Sequence, residues 1–243
     1  MDKKTILLAV GILAVALVVG LFIHGYEMGA RSQAQGLTVT GSVKKTVTAD
    51  LAKWTTSFTL RANVDNLKAI LTQSENAKTK LIAYVKKSGL PETAVSFQPV
   101  QINSIYEQLP GYGQSQNIIG YNVTQNVKVQ SGEVDKVEKL ATETKNLLDL
   151  GVVPDYQTTE YLYTKINELR PQLFAEATAD AKVRAEAIAK GTGSTVGKPL
   201  FVKTGVVQIL PVNSLDVSDY GAYDLSTKEK DVSATVSVTF DLK

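Results

Sequence analysis

The 243-residue chain contains no cysteine and a single histidine, His24, and these two gaps remove most familiar side-chain chemistry. Without thiols there are no disulfides, thiolate nucleophiles, zinc-thiolate sites, iron–sulfur clusters or lipid attachment through an N-terminal cysteine. His24 lies at the edge of an apolar run, so Ser-His-Asp and histidine-based metal chemistry are excluded from everything beyond it. At that depth an imidazole is an ordinary interfacial residue. An excess of charge of either sign is also missing. Of 26 basic and 24 acidic residues, Lys3, Lys4, Arg31, Asp2 and Glu27 precede residue 36, which leaves the remainder within one charge of neutral. No basic field steers nucleic acid, and no polyanionic tail calls for a basic partner. Low-complexity tracts and short-period repeats are absent as well.

What is present begins with an uncharged run from Thr5 to Ile23, long enough for a hydrocarbon core of roughly 30 Å. Lys3 and Lys4 precede it and only Arg31 follows closely. The positive-inside bias therefore keeps the N-terminus cytoplasmic and sends the rest of the chain outward. A cleaved signal peptide competes, because Ser32-Gln33-Ala34 resembles a small-x-small site. That site lies about ten polar residues beyond the apolar run, which is longer than a usual signal core. The expectation is a single-pass inner-membrane protein, with residues 1–35 as stub, anchor and linker and residues 36–243 as one extracytoplasmic domain, a size that buries a substantial core.

Within that domain the apolar spacing predicts ten elements. Leu37–Val43 alternates, and so does Thr46–Ala62, but Val47, Ala49 and Leu51 share one parity while Trp54, Phe58 and Leu60 take the other. A period of two cannot change parity without an irregularity, which predicts a bulge or bend around Leu51–Lys53. A helix capped by Asp65 or Asn66 follows, with Leu67, Ile70, Leu71, Ser74, Ala77, Leu81, Ile82 and Val85 inward and Gly89 and Pro91 ending it. Thr93–Glu107 and Asn117–Gln130 form strands joined by a Gly-rich tip that carries Tyr112. A helix from Ser131 or Gly132 buries Val134, Val137, Leu140, Ala141, Thr144, Leu147 and Leu148, and a strand covers Tyr156–Thr164. The third helix carries a narrow stripe, Ile166, Leu169, Leu173, Ala177, Ala181, Ala185 and Ile188, suited to lying flat on a sheet. Its exposed side carries Asp180 before Arg184 and Glu186 before Lys190, and Gly191 and Gly193 end it. Phe201–Leu210 and the cleanly alternating Asp231–Leu242 close the chain as strands. The order β-β-α-β-β-α-β-α-β-β contains a ferredoxin-like split unit from Thr46 to Thr164. Alternating strands imply a mainly antiparallel sheet covered on one face by the three helices, an α+β domain behind a transmembrane helix.

Three blocks together resemble the SIMPL-domain family of bacterial envelope proteins: LTVTGSVKKTVTADLAKWTTSFTL, IIGYNVTQNVKVQSGEVDKVEKL, and ATADAKVRAEAIAKGTGSTVGKP with the closing DVSATVSVTFDL. The similarity spans about Leu37 to Leu242. It implies an envelope-tethered or secreted α+β domain, associated in the family with oxidative-stress defence and homo-oligomeric assembly and without an established catalytic activity. It supplies no catalytic, cofactor-binding or metal-binding residues.

The residues themselves point the same way. Gly191–Lys198 fails as a phosphate loop, because a Walker loop needs glycine at Thr192 and Ser or Thr at Pro199, and because the segment leaves a helix rather than entering one. Asp149, Asp155 and Glu160 have no second carboxylate fixed beside them by spacing, and Glu75, Glu133, Glu138 and Glu143 fall on exposed helix faces. Trp54 and Phe58 read as packing. Tyr112 at one tip and Tyr220 and Tyr223 in the other long loop form the candidate interaction surface, since tip aromatics are favoured at protein contacts, although each can also fold back on its own loop. The expectation is a non-enzymatic anchored protein that self-assembles through sheet edges and hairpin tips, without cofactor, metal or nucleic acid. The alternative is a monomeric envelope binding or sensing module that uses the loops around Tyr112 and Tyr220 to take a partner or small molecule.

Overall fold

The computed structural model describes residues 17–19, 21, 36–111, 113–214 and 220–243. The chain is α+β: β1 (Gly36–Thr48), β2 (Leu51–Ala62), α1 (Leu67–Lys87), β3 (Val95–Phe97), β4 (Gln101–Leu109), β5 (Gly113–Ser131), α2 (Val134–Thr142), α3 (Thr144–Asp149), β6 (Pro154–Leu162), α4 (Ile166–Gly191), β7 (Val196–Pro211) and β8 (Glu229–Leu242). The expected anchor at residues 5–23 lies outside the described residues except for Leu17–Val19 and Leu21, which are helical. Among the described residues no helix is long and apolar enough to cross a membrane.

The single covered sheet expected from the sequence is two sheets, one of three strands in the order β1-β8-β7 and one of five built on β5 and β2. The parity change is accordingly a strand break at Ala49–Asp50 and not a bulge within one strand. Asp50 fixes the break: its carboxylate accepts the Thr164 amide at 2.7 Å and the Thr164 hydroxyl at 3.0 Å. Its own amide donates to the Leu162 carbonyl at 3.0 Å.

Two compact units result. The first takes in the described residues up to Lys44, Pro171–Val207 and Ser233–Lys243. In it Leu173, Ala177, Ala181, Ala185 and Ala189 are buried along α4, and Ala177, Ala181 and Ala185 pack with Val39, Val236, Val238 and Phe240. The stripe advances every four residues to its end, so Ala189 is inside and Ile188, expected inside, is exposed. Alanine at each step lets the helix lie close to the strands. At Gly41 a methyl group would stand inside contact distance of the Ala177 carbonyl and 2.8 Å from the Ala181 Cα. A Schellman turn ends α4, with the Ser194 amide on the Ala189 carbonyl at 2.9 Å, the Gly193 amide on the Lys190 carbonyl at 3.3 Å and Gly193 at φ 72.

The second unit comprises Lys45–Arg170 and Gln208–Val232. β2 pairs antiparallel with β5 and β6, and β5 pairs antiparallel with β3 and β4. The neighbour order β4-β5-β2-β6 is that of a split β-α-β-β-α-β unit. Trp54 and Phe58 of β2 and Val127 and Val129 of β5 are buried with Leu81 and Val85 of α1 and Val137 and Leu140 of α2. Each such side chain contributes about 1.5–3 kcal/mol. The expected strand Thr93–Glu107 is interrupted between β3 and β4, where Pro99 has no amide to donate. Buried Gln125 fills the gap, its side-chain amide donating to the Gln98 carbonyl at 2.7 Å and the Asn126 carbonyl at 2.9 Å. The second predicted helix is likewise two, broken at Glu143, and Leu148 is exposed while Leu147 is buried.

Candidate interaction surface

Of the three tyrosines expected to form a contact surface, Tyr112 lies outside the described residues. The structure separates the other two. Tyr223 folds back: its hydroxyl donates to the Tyr163 carbonyl at 2.8 Å and accepts the Tyr163 amide at 3.0 Å. Tyr220 points outward, 98% exposed. The segment that carries them is pinned on both sides of Tyr223. The Ile209 amide donates to the Ala222 carbonyl and the Asp224 amide to the Ile209 carbonyl, both at 2.8 Å, and the Tyr161 amide donates to the Leu225 carbonyl at 2.8 Å. Tyr223 is thus a staple between Tyr163, just past β6, and this segment.

Beneath the segment sits a polar group that spacing did not reveal. Lys230 is fully buried, and its ammonium donates to the Asp224 carboxylate at 2.9 Å and the Asp224 carbonyl at 2.7 Å. The same carboxylate accepts the Ser226 amide at 2.9 Å, the Ser226 hydroxyl at 2.7 Å, the Thr227 amide at 3.1 Å and the Thr227 hydroxyl. Burial opposes ionisation of Asp224, but the donors of Thr227, Ser226 and Lys230 outweigh it and hold the carboxyl far below its usual range. One residue along, Asp231 accepts the Thr46 hydroxyl at 2.8 Å and the Asn213 amide at 3.2 Å, the latter residue at φ 66. A short polar side chain tolerates that left-handed conformation. The bonds to Asp224 fix the turn at Asp224–Thr227, and those to Asp231 tie it to Thr46 and Asn213.

The exposed acids divide in the same way. Glu75 and Glu133 pair with the lysines three residues on, Lys78 at 2.7 Å and Lys136 at 3.3 Å. Glu138, expected on a plain solvated face, accepts the Tyr161 hydroxyl at 3.1 Å, and Lys228 bridges it to Asp135. Glu143 accepts from Asn146 at 2.6 Å and from Tyr84 at 3.3 Å. Glu160 faces Lys53 across the β2–β6 ladder at 2.9 Å, a cross-strand pair. Asp155 is exposed, and Asp149 lines a cleft of the second unit. On α4, Asp180 pairs with Arg184 at 2.8 Å as the spacing predicts, and it also accepts the Ser42 amide at 2.8 Å. That amide and the guanidinium lower the Asp180 carboxyl below its ordinary value. Glu186 pairs backward with Lys182 at 3.8 Å. The Gly191–Lys198 segment presents the carbonyl end of α4, as the sequence predicts. Among the described residues no three His, Asp or Glu side chains gather where a metal ion could be held.

A cluster of exposed apolar side chains lies on β7. This strand ends the three-stranded sheet, so along Lys198–Val206 one side of its backbone has no strand partner among the described residues. Leu200, Phe201, Val202 and Val206 are 40–63% exposed there. Gly197 lies against Asp241 and Gly205 against Thr235, so odd-numbered residues of β7 share the odd-numbered face of β8. Leu200, Val202 and Val206 therefore extend the even-numbered apolar face of Val236, Val238 and Phe240, past the cover that α4 provides. The predicted strand Phe201–Leu210 reads as ordinary; only the sheet order shows that it is an edge.

Comparison with known proteins gives concordant results. The chain is 25% identical over 231 residues to the 26 kDa periplasmic immunogenic protein of Brucella melitensis biotype 1, with 87% of this chain and 86% of that protein covered. The protein of the same name in Brucella abortus matches to the same extent. Residues 37–240 match the SIMPL model, described as a protein of unknown function, so the β1–β8 domain bounded by these edges and loops belongs to the SIMPL family.

Proposed function

We propose that this SIMPL protein is a non-enzymatic, membrane-anchored protein of the cell envelope that works by assembling with copies of itself through the β7 edge. The carrying observation is the apolar β7 stretch Lys198–Val206. A long edge strand with exposed Leu200, Phe201, Val202 and Val206 is what monomeric proteins avoid, usually with charge, proline or a covering loop. Here Pro199, Lys198 and Lys203 interrupt it only in part. Outward-pointing Tyr220 adds a second contact of the type enriched at interfaces. A periplasmic location is supported by the name of the Brucella relatives and by the lysines ahead of the apolar run Thr5–Ile23, whose described residues are helical. An anchor concentrates protomers in two dimensions and so favours weak edge contacts. A part in stress defence, implied by the family resemblance, would run through the assembled surface, since residues 36–243 carry neither cysteine nor histidine.

The test is the mass of the full chain in detergent, measured by light scattering after size exclusion. A mass of several protomers, reduced by Phe201→Asp, supports assembly at β7. A 26.2 kDa protein component at every concentration sinks it and leaves the monomeric binding module.

A further inference from the structure

The second unit carries a cleft of about 670 Å³ between α1 and the α2–α3 pair. Its apolar wall is Ala83, Leu140 and Leu150, and around it stand four lysines, Lys80, Lys87, Lys136 and Lys139, against two carboxylates, Glu143 and Asp149. In a domain within one charge of neutral overall, this is a local excess of positive charge.

The acids, with Glu133 beside Lys136, reduce this excess without cancelling it. Glu143 is already engaged, accepting from Asn146 at 2.6 Å and Tyr84 at 3.3 Å, and Asn146 also donates to the Tyr84 hydroxyl at 3.1 Å. Burial raises the Tyr84 phenol above its ordinary value, against the pull of Asn146, and Glu143 raises it further, so the hydroxyl stays protonated. Nor are the ammonium groups held tightly. Lys139 is 4.0 Å from Glu143, at the outer limit of an ion pair, and Lys80 reaches only the Leu150 carbonyl, at 3.4 Å. Lys136 is shared between the Gly89 carbonyl at 3.4 Å and Glu133 at 3.3 Å. Ammonium groups so weakly engaged beside an apolar wall are complementary to a ligand with both an anionic head and an apolar body.

We propose that this cleft binds a small amphiphilic anion, an apolar ring or short chain carrying a doubly charged head of the phosphomonoester type. The apolar wall takes the body and the lysines the head. The binding is independent of whether protomers associate through β7.

The experiment titrates full chain in nonionic detergent into 1-naphthyl phosphate and follows the fluorescence anisotropy of the probe. Saturable binding that weakens as salt rises is expected. Lys87→Gln with Lys139→Gln weakens it about tenfold, the scale of losing charge-assisted contacts. Lys68→Gln with Lys182→Gln, the same charge change away from the cleft, leaves it unchanged. Ala83→Glu, at an exposed position that tolerates the side chain, abolishes binding while the thermal unfolding curve stays at the wild-type position. Inorganic phosphate, which lacks the apolar body, competes only weakly. Absence of saturable binding to the wild type, or equal weakening by the two double variants, overturns the proposal.

Discussion

Gly41 is where the close approach of α4 can be tested most sharply. Adding one methyl there puts a carbon 2.8 Å from the Ala181 Cα and nearer still to the Ala177 carbonyl and Ala181 amide. Carbon atoms rest at about 3.5–4.0 Å, and the obstructing atoms are backbone, so no side chain can rotate out of the way. The helix or the strand must retreat by about 1 Å. A gap of that size forfeits a quarter to a half of each dispersion contact it opens. Three buried alanines, Ala177, Ala181 and Ala185, line that contact. Overpacking typically costs about 1–3 kcal/mol, and the rigidity of this site places Gly41→Ala at about 3 kcal/mol. With a urea dependence of about 2 kcal/mol per molar, the unfolding midpoint of the first unit falls by about 1.5 M, read by circular dichroism. Gly191→Ala is the control within the same helix, since nothing lies within 4 Å of the added carbon there. It leaves the midpoint in place or raises it slightly. A Gly41→Ala protein as stable as wild type would falsify the close helix-on-strand contact that the alanine stripe requires.

The buried pair gives a second test: Lys230→Met leaves the Asp224 carboxylate without its ammonium partner and costs about 3–5 kcal/mol by urea unfolding, and the double change with Asp224→Asn recovers part of that loss. Acid titration follows from the same group. Because the folded carboxyl of Asp224 is held below its unfolded value of about 3.9, its stabilisation is complete above that pH and drains away as pH falls below it, so Asp224→Asn flattens the acid limb of a stability-versus-pH curve. An unchanged limb counts against the hydrogen-bonded turn. Tyr223→Phe removes the two hydrogen bonds to Tyr163 and speeds amide hydrogen exchange at Tyr163 severalfold, by about 1 kcal/mol of lost protection, while Tyr220→Ala leaves it unaltered.

Much of this fold is legible from spacing alone, because the helix stripes and the strand alternation are local. The inward faces of α1 and α4 and the run Val232, Ala234, Val236, Val238 and Phe240 follow from a period of 3.6 or 2. What spacing cannot tell is which strands are neighbours. The parity change before Trp54 is visible, but a bulge and a passage between sheets give the same pattern. For the same reason Phe201 and Val202 look like any core strand until β7 is seen to be an edge. Spacing puts Ile188 inside because hydrophobicity favours it over Ala189, whereas the packing distance favours the smaller residue.

The site residues show the same division. That one tip tyrosine folds back is foreseeable in kind, but that it is Tyr223 depends on hydrogen bonds to Tyr163, sixty positions away in sequence. The lysine cleft is assembled from α1 and α2–α3, so no short window contains it. Lys230 and Asp224 carry one faint signal: Lys230 shares the parity of the apolar residues Val232–Phe240 of β8.

Whether copies of this chain join along Lys198–Val206 is decided most directly by light-scattering mass of the detergent-solubilised full chain beside its Phe201→Asp variant. Edge assembly predicts a multiple of 26.2 kDa that drops to a single protomer on substitution. Equal masses for the two proteins, whether both single or both multiple, contradict it.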